Sequence, residues 1–158
     1  MSKILVAYFS VSGVTAGVAK FVARTAGADL YEITPKVPYT KEDLSWQNRT
    51  ARTTVEMHDL SSRPEIIGRV ENMDQYDKVL IGFPIWWYAA PTIINTFLEA
   101  HDLAGKTIGL FATSGGSGAG KAVNNLRGSV ADSVVWAEPK LLNGEVTKED
   151  IVAWIEGM

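Results

Sequence analysis

The segment Ser10-Val11-Ser12-Gly13-Val14-Thr15 places three hydroxyls and a glycine between an apolar run over residues 3–9 and a helical pattern in which Val14, Val18, Phe21 and Val22 recur. The chemistry of such a junction is anion binding. The unpaired amides of a first helical turn and the positive end of the helix dipole favour a phosphate there. Ser10, Ser12 and Thr15 add donors, and Gly13 lets backbone approach closely. The same residues also read as a serine N-cap followed by a glycine turn, and taken alone they do not separate the two readings.

Two further segments carry residues suited to a flat ligand. Pro84-Ile85-Trp86-Trp87-Tyr88-Ala89-Ala90-Pro91 sets three consecutive aromatics between prolines. They cannot all enter a core from a loop, so at least one faces solvent or a planar group. Trp86 suits a role as local core; Trp87 and Tyr88 suit it less. Thr113-Ser114-Gly115-Gly116-Ser117-Gly118-Ala119-Gly120 is nearly all small, so its backbone can lie against a ring. Gly115, Gly120 and Lys121 also match the spacing of a triphosphate loop, but Ala122 stands where that loop needs a metal-holding hydroxyl. His58 and His101 have no metal-ligand spacing, and His101 near a helix end suits the dipole or solvent.

The elements that position these segments follow from periodicity. Residues 3–9 form a short apolar run of the kind buried on both faces of a sheet. Residues 29–33, 78–83, 107–113 and 133–136 are further strands, and helical patterns alternate with them. That alternation predicts five parallel strands with helices on both faces. One helix starts at Pro91, as its first helical residue, with Ile93, Ile94, Phe97 and Leu98 as its stripe. Another spans about 119–126, and a last one starts at Thr147, where Thr147 and Asp150 form a capping box. Residues 34–76 are polar and interrupted by Pro35, Pro38 and Pro64, which predicts one helix between Gln47 and His58 and much loop. That stretch is either a solvated crossover or a lid or partner surface. In an open parallel sheet ligands bind beyond the carboxyl ends of the strands, so the three segments above share one edge.

The 158 residues have the length of one domain. A formal charge of -3 without a basic cluster argues against nucleic acid. The chain has no cysteine, which excludes disulfides and thiolate chemistry and fits a cytoplasmic setting. The sequence predicts neither a signal peptide nor a membrane span. Oligomeric state leaves no mark on it.

Taken in order, the hydroxyl segment, the aromatic segment after the third strand and the Thr-Ser-Gly-Gly segment after the fourth resemble flavodoxins over essentially the whole chain. The likeness is strongest to short bacterial members carrying Pro-Ile-Trp-Trp and Thr-Ser-Gly-Gly-Ser-Gly segments. The resemblance implies a flavodoxin-like α/β three-layer sandwich over residues 1–158, with a five-stranded parallel sheet in the order 2-1-3-4-5, and noncovalent FMN. By position, Ser10, Ser12, Gly13, Val14 and Thr15 would bind the phosphate. Pro84, Ile85, Trp86, Trp87, Tyr88 and Ala89 would flank the isoalloxazine on one side, and Thr113, Ser114, Gly115, Gly116 and Gly118 on the other.

The implied function is electron transfer with redox partner proteins or small electron acceptors, no side chain acting as a catalyst because the chemistry lies with the cofactor. Two alternatives stand beside it: an FMN-dependent reductase of quinones or similar acceptors, and a cofactor-free binding or regulatory module. The chain departs from strongly acidic flavodoxins in its small net charge and in the absence of any carboxylate from 113–120. It also has Tyr88 where related sequences often carry glycine.

Overall fold

The computed structural model describes residues 3–11, 13–40, 42–44, 50–59, 61–85, 90–113, 122–137, 139–142 and 147–158. In chain order its elements are β1 (Ile4–Tyr8), α1 (Val14–Ala26), β2 (Asp29–Glu32), β3 (Thr34–Pro35), α2 (Arg52–His58), β4 (Ile66–Ile67), β5 (Lys78–Pro84), α3 (Thr92–Glu99), β6 (Thr107–Thr113), α4 (Ala122–Leu126), β7 (Val135–Trp136), β8 (Lys140–Leu141) and α5 (Lys148–Glu156). The main sheet runs β2-β1-β5-β6-β7, with β8 also paired to β6, and all of these pairs are parallel. With β7 and β8 taken as two parts of one strand, this is the order 2-1-3-4-5.

The three central strands are buried on both faces, and their alternation divides the core in two. Val6, Tyr8, Leu80 and Phe111 meet α1 and α5 through Ala19, Val22, Ala23 and Ile151. Leu5, Phe9, Ile81, Phe83 and Leu110 meet α3 through Ile93, Ile94, Phe97 and Leu98. On α1 the buried stripe is Thr15, Ala19, Val22 and Ala23, whereas Val14 is 60% exposed. The helix is where the periodicity puts it, but its face is rotated because small residues let it settle closely on the sheet. The glycines on the α1/α5 face have the complementary role. A Cβ at Gly82 would overlap the Phe111 ring, and one at Gly109 would crowd Met158, Leu80 and Trp154.

Several expectations need correction. The fifth strand is shorter than residues 133–136 and resumes after a break. Val135 pairs with Thr107 and Lys140 with Phe111, so the register slips by one residue between β7 and β8. Pro139, which has no amide to give the ladder, lies in that break. Pro91 is the N-cap of α3 rather than its first residue, with ψ of 142. Residues 34–76 hold α2 and also an antiparallel pair, β3 with β4, that has too few residues to show a period. The helix in that stretch is Arg52–His58, and α4 is described from Ala122; residues 119–121 lie outside the described residues. The capping box of α5 is as expected, with Thr147 Oγ1 accepting from the Asp150 amide and Asp150 Oδ2 from the Thr147 amide, each at 3.2 Å.

Candidate functional site

β1, β5 and β6 are neighbours, so the segments leaving their carboxyl ends begin side by side. The first leaves β1 through Phe9, whose amide still donates to Gly82 O at 2.9 Å. Gly13 then adopts φ 92 and ψ -12 at the N-cap of α1, a conformation that side chains resist. No atom lies within 4 Å of where its Cβ would be, so the glycine is required by its dihedral and not by crowding. The Gly13 amide donates to Ser10 Oγ at 3.2 Å, which folds the segment back on itself. The Gly17 amide makes the first bond of α1, to Gly13 O at 3.1 Å. The amides of residues 14–16 therefore have no acceptor within the helix, and Gly13 has no side chain to cap them. Neither Lys, Arg, Asp nor Glu occurs between Tyr8 and Thr15.

Thr15 lies on the buried stripe of α1, 2% exposed, and its hydroxyl meets that of Thr113 at 2.8 Å. Thr113 ends β6 and is 6% exposed. In a bond between two hydroxyls one proton is shared and the other is left to donate elsewhere. The pair joins the first segment to the third across 98 positions of sequence. The second segment joins them through backbone: Pro84 pairs with Thr113 in the ladder, and the Ile85 amide donates to Thr113 O at 2.9 Å.

Of the residues read from sequence, the structure thus brings Ser10, Gly13, Val14, Thr15, Pro84, Ile85 and Thr113 to one edge. Ser12, Trp86, Trp87, Tyr88, Ala89, Ser114, Gly115, Gly116 and Gly118 lie outside the described residues. His101 has a structural role at the C-terminal end of α3, where the sequence put it, with its ring partly buried rather than turned to solvent. Its Nε2 accepts from the Val70 amide at 2.8 Å, so its proton is on Nδ1, which donates to Phe97 O at 2.7 Å. Burial, aided by the charge of Arg69, holds its pKa below the usual histidine value.

The sequence reading missed Tyr39. Its ring packs edge-on against Phe9, 5.5 Å between centroids, and with Phe9, Ser10, Val11, Thr34, Pro35 and Pro38 it lines a cavity of about 210 Å3 beside the hydroxyl segment. Tyr39 donates to Glu56 at 2.6 Å, and burial together with that carboxylate raises the phenol well above its ordinary pKa. Arg52 stacks over the Tyr39 ring at 3.8 Å and donates to Glu56 at 3.0 Å. The four-residue spacing of Arg52 and Glu56 was the readable part of this cluster.

A family profile described as Flavodoxin matches residues 3–158. Among solved structures, a protein assigned by inference as a flavoprotein from Bacteroides eggerthii is 48% identical, with 99% of this chain and 97% of that one covered and a TM-score of 0.93. A flavoprotein in complex with FMN from Lactobacillus acidophilus is 20% identical, with 98% and 99% covered and a TM-score of 0.72. Oxidised flavodoxin 1 from Bacillus cereus is 15% identical, with 98% and 93% covered and a TM-score of 0.54, a likeness of fold. No curated protein matches the chain with significance.

Proposed function

The chain belongs to the flavodoxin family, and from that premise we propose that it is a single-domain protein that binds FMN and passes electrons between redox partners. The observation that carries the reading is the α1 N-terminus. Its free first-turn amides, the Gly13 dihedral of 92° and the Thr15–Thr113 hydroxyl pair make a cradle of neutral donors. Such a cradle fits a phosphate monoester. Each hydrogen bond to the dianion is charge-assisted, and several together offset the missing lysine or arginine. The Lactobacillus acidophilus flavoprotein, whose fold this chain shares, was crystallised with FMN, which supports the same ligand here.

In this reading Ser10, Ser12, Gly13, Val14 and Thr15 hold the phosphate, and Thr113 serves that end by fixing the Thr15 hydroxyl. Pro84, Ile85, Trp86, Trp87, Tyr88 and Ala89 flank the ring on one side and Ser114, Gly115, Gly116 and Gly118 on the other. FMN supplies reversible electron chemistry when bound. The protein's part is to bind it, orient the ring and shield it from water with the two ring segments. The donor set contributes no charge of its own, so affinity rests on geometry.

Titration of the purified protein with FMN, followed by tryptophan emission, tests the binding. Saturable quenching is expected, since Trp86 and Trp87 lie in a segment assigned to the ring. Absence of quenching together with loss of all flavin on gel filtration would overturn it. Turnover of NADH with menadione by the loaded protein alone distinguishes a carrier from a reductase. A carrier gives no rate above that of free FMN, and a substantial rate would replace the carrier reading with the reductase.

A further inference from the structure

The turn over residues 68–72, which follows β4, carries two left-handed positions. Gly68 has φ 74, and Asn72, with φ 56, is the one non-glycine residue of positive φ among the described residues. Val70 stands midway between them and is buried, so its amide needs an acceptor within the protein. That acceptor is a side chain. His101 Nε2 takes the Val70 amide at 2.8 Å, while Nδ1 donates to Phe97 O at 2.7 Å and the imidazole lies 4.5 Å from the Phe97 ring. Only a neutral imidazole carrying its proton on Nδ1 makes both bonds at once. The turn leads toward the start of β5, and Lys106, which borders the same cavity, precedes β6. The contact therefore sits at the amino ends of the strands, at the edge opposite the hydroxyl segment, and stands apart from the FMN reading.

We propose that His101 is a pH-operated latch: neutral, it holds the turn of residues 68–72 against α3, and protonated, it releases that turn while keeping its own bond to α3. The two bonds respond to a proton in opposite ways. A proton on Nε2 turns the acceptor into a donor facing the Val70 N–H, and that bond is lost. The Nδ1 bond to Phe97 O remains and gains from the positive charge, which the C-terminal end of a helix favours. The surrounding charges are mixed. Arg69 on the turn and Lys106 before β6 oppose a cation, whereas Glu71, Asp74 and Asp102 border the same cavity of about 590 Å3 and favour one. On α3 itself, Glu99 is engaged by Arg63 and Ser129. Burial, with the charge of Arg69, holds the imidazole below the ordinary histidine value. The closed turn is therefore the neutral-pH state. Once released, the ring is solvated and takes its proton near pH 6.5, so acid draws the turn open.

Amide hydrogen exchange and ring-nitrogen NMR of the purified protein test the latch. Protection of the Val70 amide, corrected for the intrinsic pH dependence of exchange, should fall about threefold or more between pH 7.5 and 5.0. That exchange should be insensitive to dilute urea, because it needs only local opening, whereas exchange of β1 and β5 amides should follow the urea-dependent global unfolding. The Nε2 resonance should be that of an unprotonated nitrogen at pH 7.5 and titrate together with the Val70 amide shift. In His101→Gln, whose carboxamide takes no proton, Val70 protection should no longer depend on pH. Glu71→Gln, Asp74→Asn and Asp102→Asn should each leave the wild-type response in place. Constant Val70 protection across the pH range, a Val70 urea dependence equal to that of β1, or a response that survives in His101→Gln would overturn the proposal. So would a response abolished by one of the carboxylate variants. Should His101→Gln not fold, the wild-type exchange and ring-nitrogen titration decide alone.

Discussion

Two duties, one proposed and one observed, fall on the Thr15 oxygen. Its hydroxyl is assigned to a phosphate and is also half of a buried pair with Thr113. Thr15→Val should cost FMN affinity one charge-assisted bond, about 1.5–3 kcal/mol. It should also strand the Thr113 hydroxyl, lowering stability by about 1–3 kcal/mol. Thr15→Ser restores an oxygen and should recover most of both losses, as read by FMN titration and thermal unfolding. A Thr15→Val protein with full FMN affinity would remove Thr15 from the site. The signature behind the proposed first duty was legible: a hydroxyl two residues past a glycine at a strand-to-helix junction. The second was not, because nothing in the sequence announces a partner 98 positions away. His101 was read correctly as a structural residue at a helix end, but its second partner was hidden for the same reason: the Val70 amide, 31 positions away, donates to its Nε2. The lowered pKa makes the unfolded chain bind more protons than the folded one between that value and about 6.5. The contribution is full above about pH 6.5 and is lost as pH falls through the folded value. Urea midpoints at pH 7.5 and 5.5 should therefore differ more in the wild type than in His101→Gln, and equal differences would refute the assignment.

The strongly periodic elements were readable, and the short ones were not. β1, β5 and β6 announce themselves as apolar runs, and α5 as a capping box in front of Ile151. β3 and β4 have two residues each, and the β7 to β8 slip is a one-residue change of pairing along β6, so neither leaves a period to detect. The close packing of β5 on β6 depends on a missing side chain. Phe111 fills the space over Gly82 and meets Trp154 of α5 edge-on at 6.2 Å. Gly82→Ala should force Phe111 off its position and cost about 1–3 kcal/mol, with a lower thermal midpoint. Adding Phe111→Leu should recover part of it. An unaltered midpoint in Gly82→Ala would mean that the sheet and α5 adjust without strain.

Across the molecule, sequence order carried the fold further than any one motif: the three site segments follow strands that the structure makes neighbours, and the sheet order is the expected one. Composition carried less. A net charge of -3 and a carboxylate-free stretch at 113–120 leave little acidic field to steer basic partners or to oppose a reduced, anionic flavin. Those features favour delivery of two electrons to a small acceptor as much as relay to a protein, which is why the NADH and menadione experiment matters. The contacts of Asn125 with Ala90 and of Tyr39 with Phe9 are long-range and polar or aromatic. Neither has a spacing rule by which a single sequence could reveal it. The α1 N-terminus with Gly13, Thr15 and Thr113 is proposed to be built for a phosphate. Comparing dissociation constants of FMN and riboflavin for the wild-type protein tests it most directly: FMN should bind at least tenfold more tightly, and equal affinities would contradict the claim.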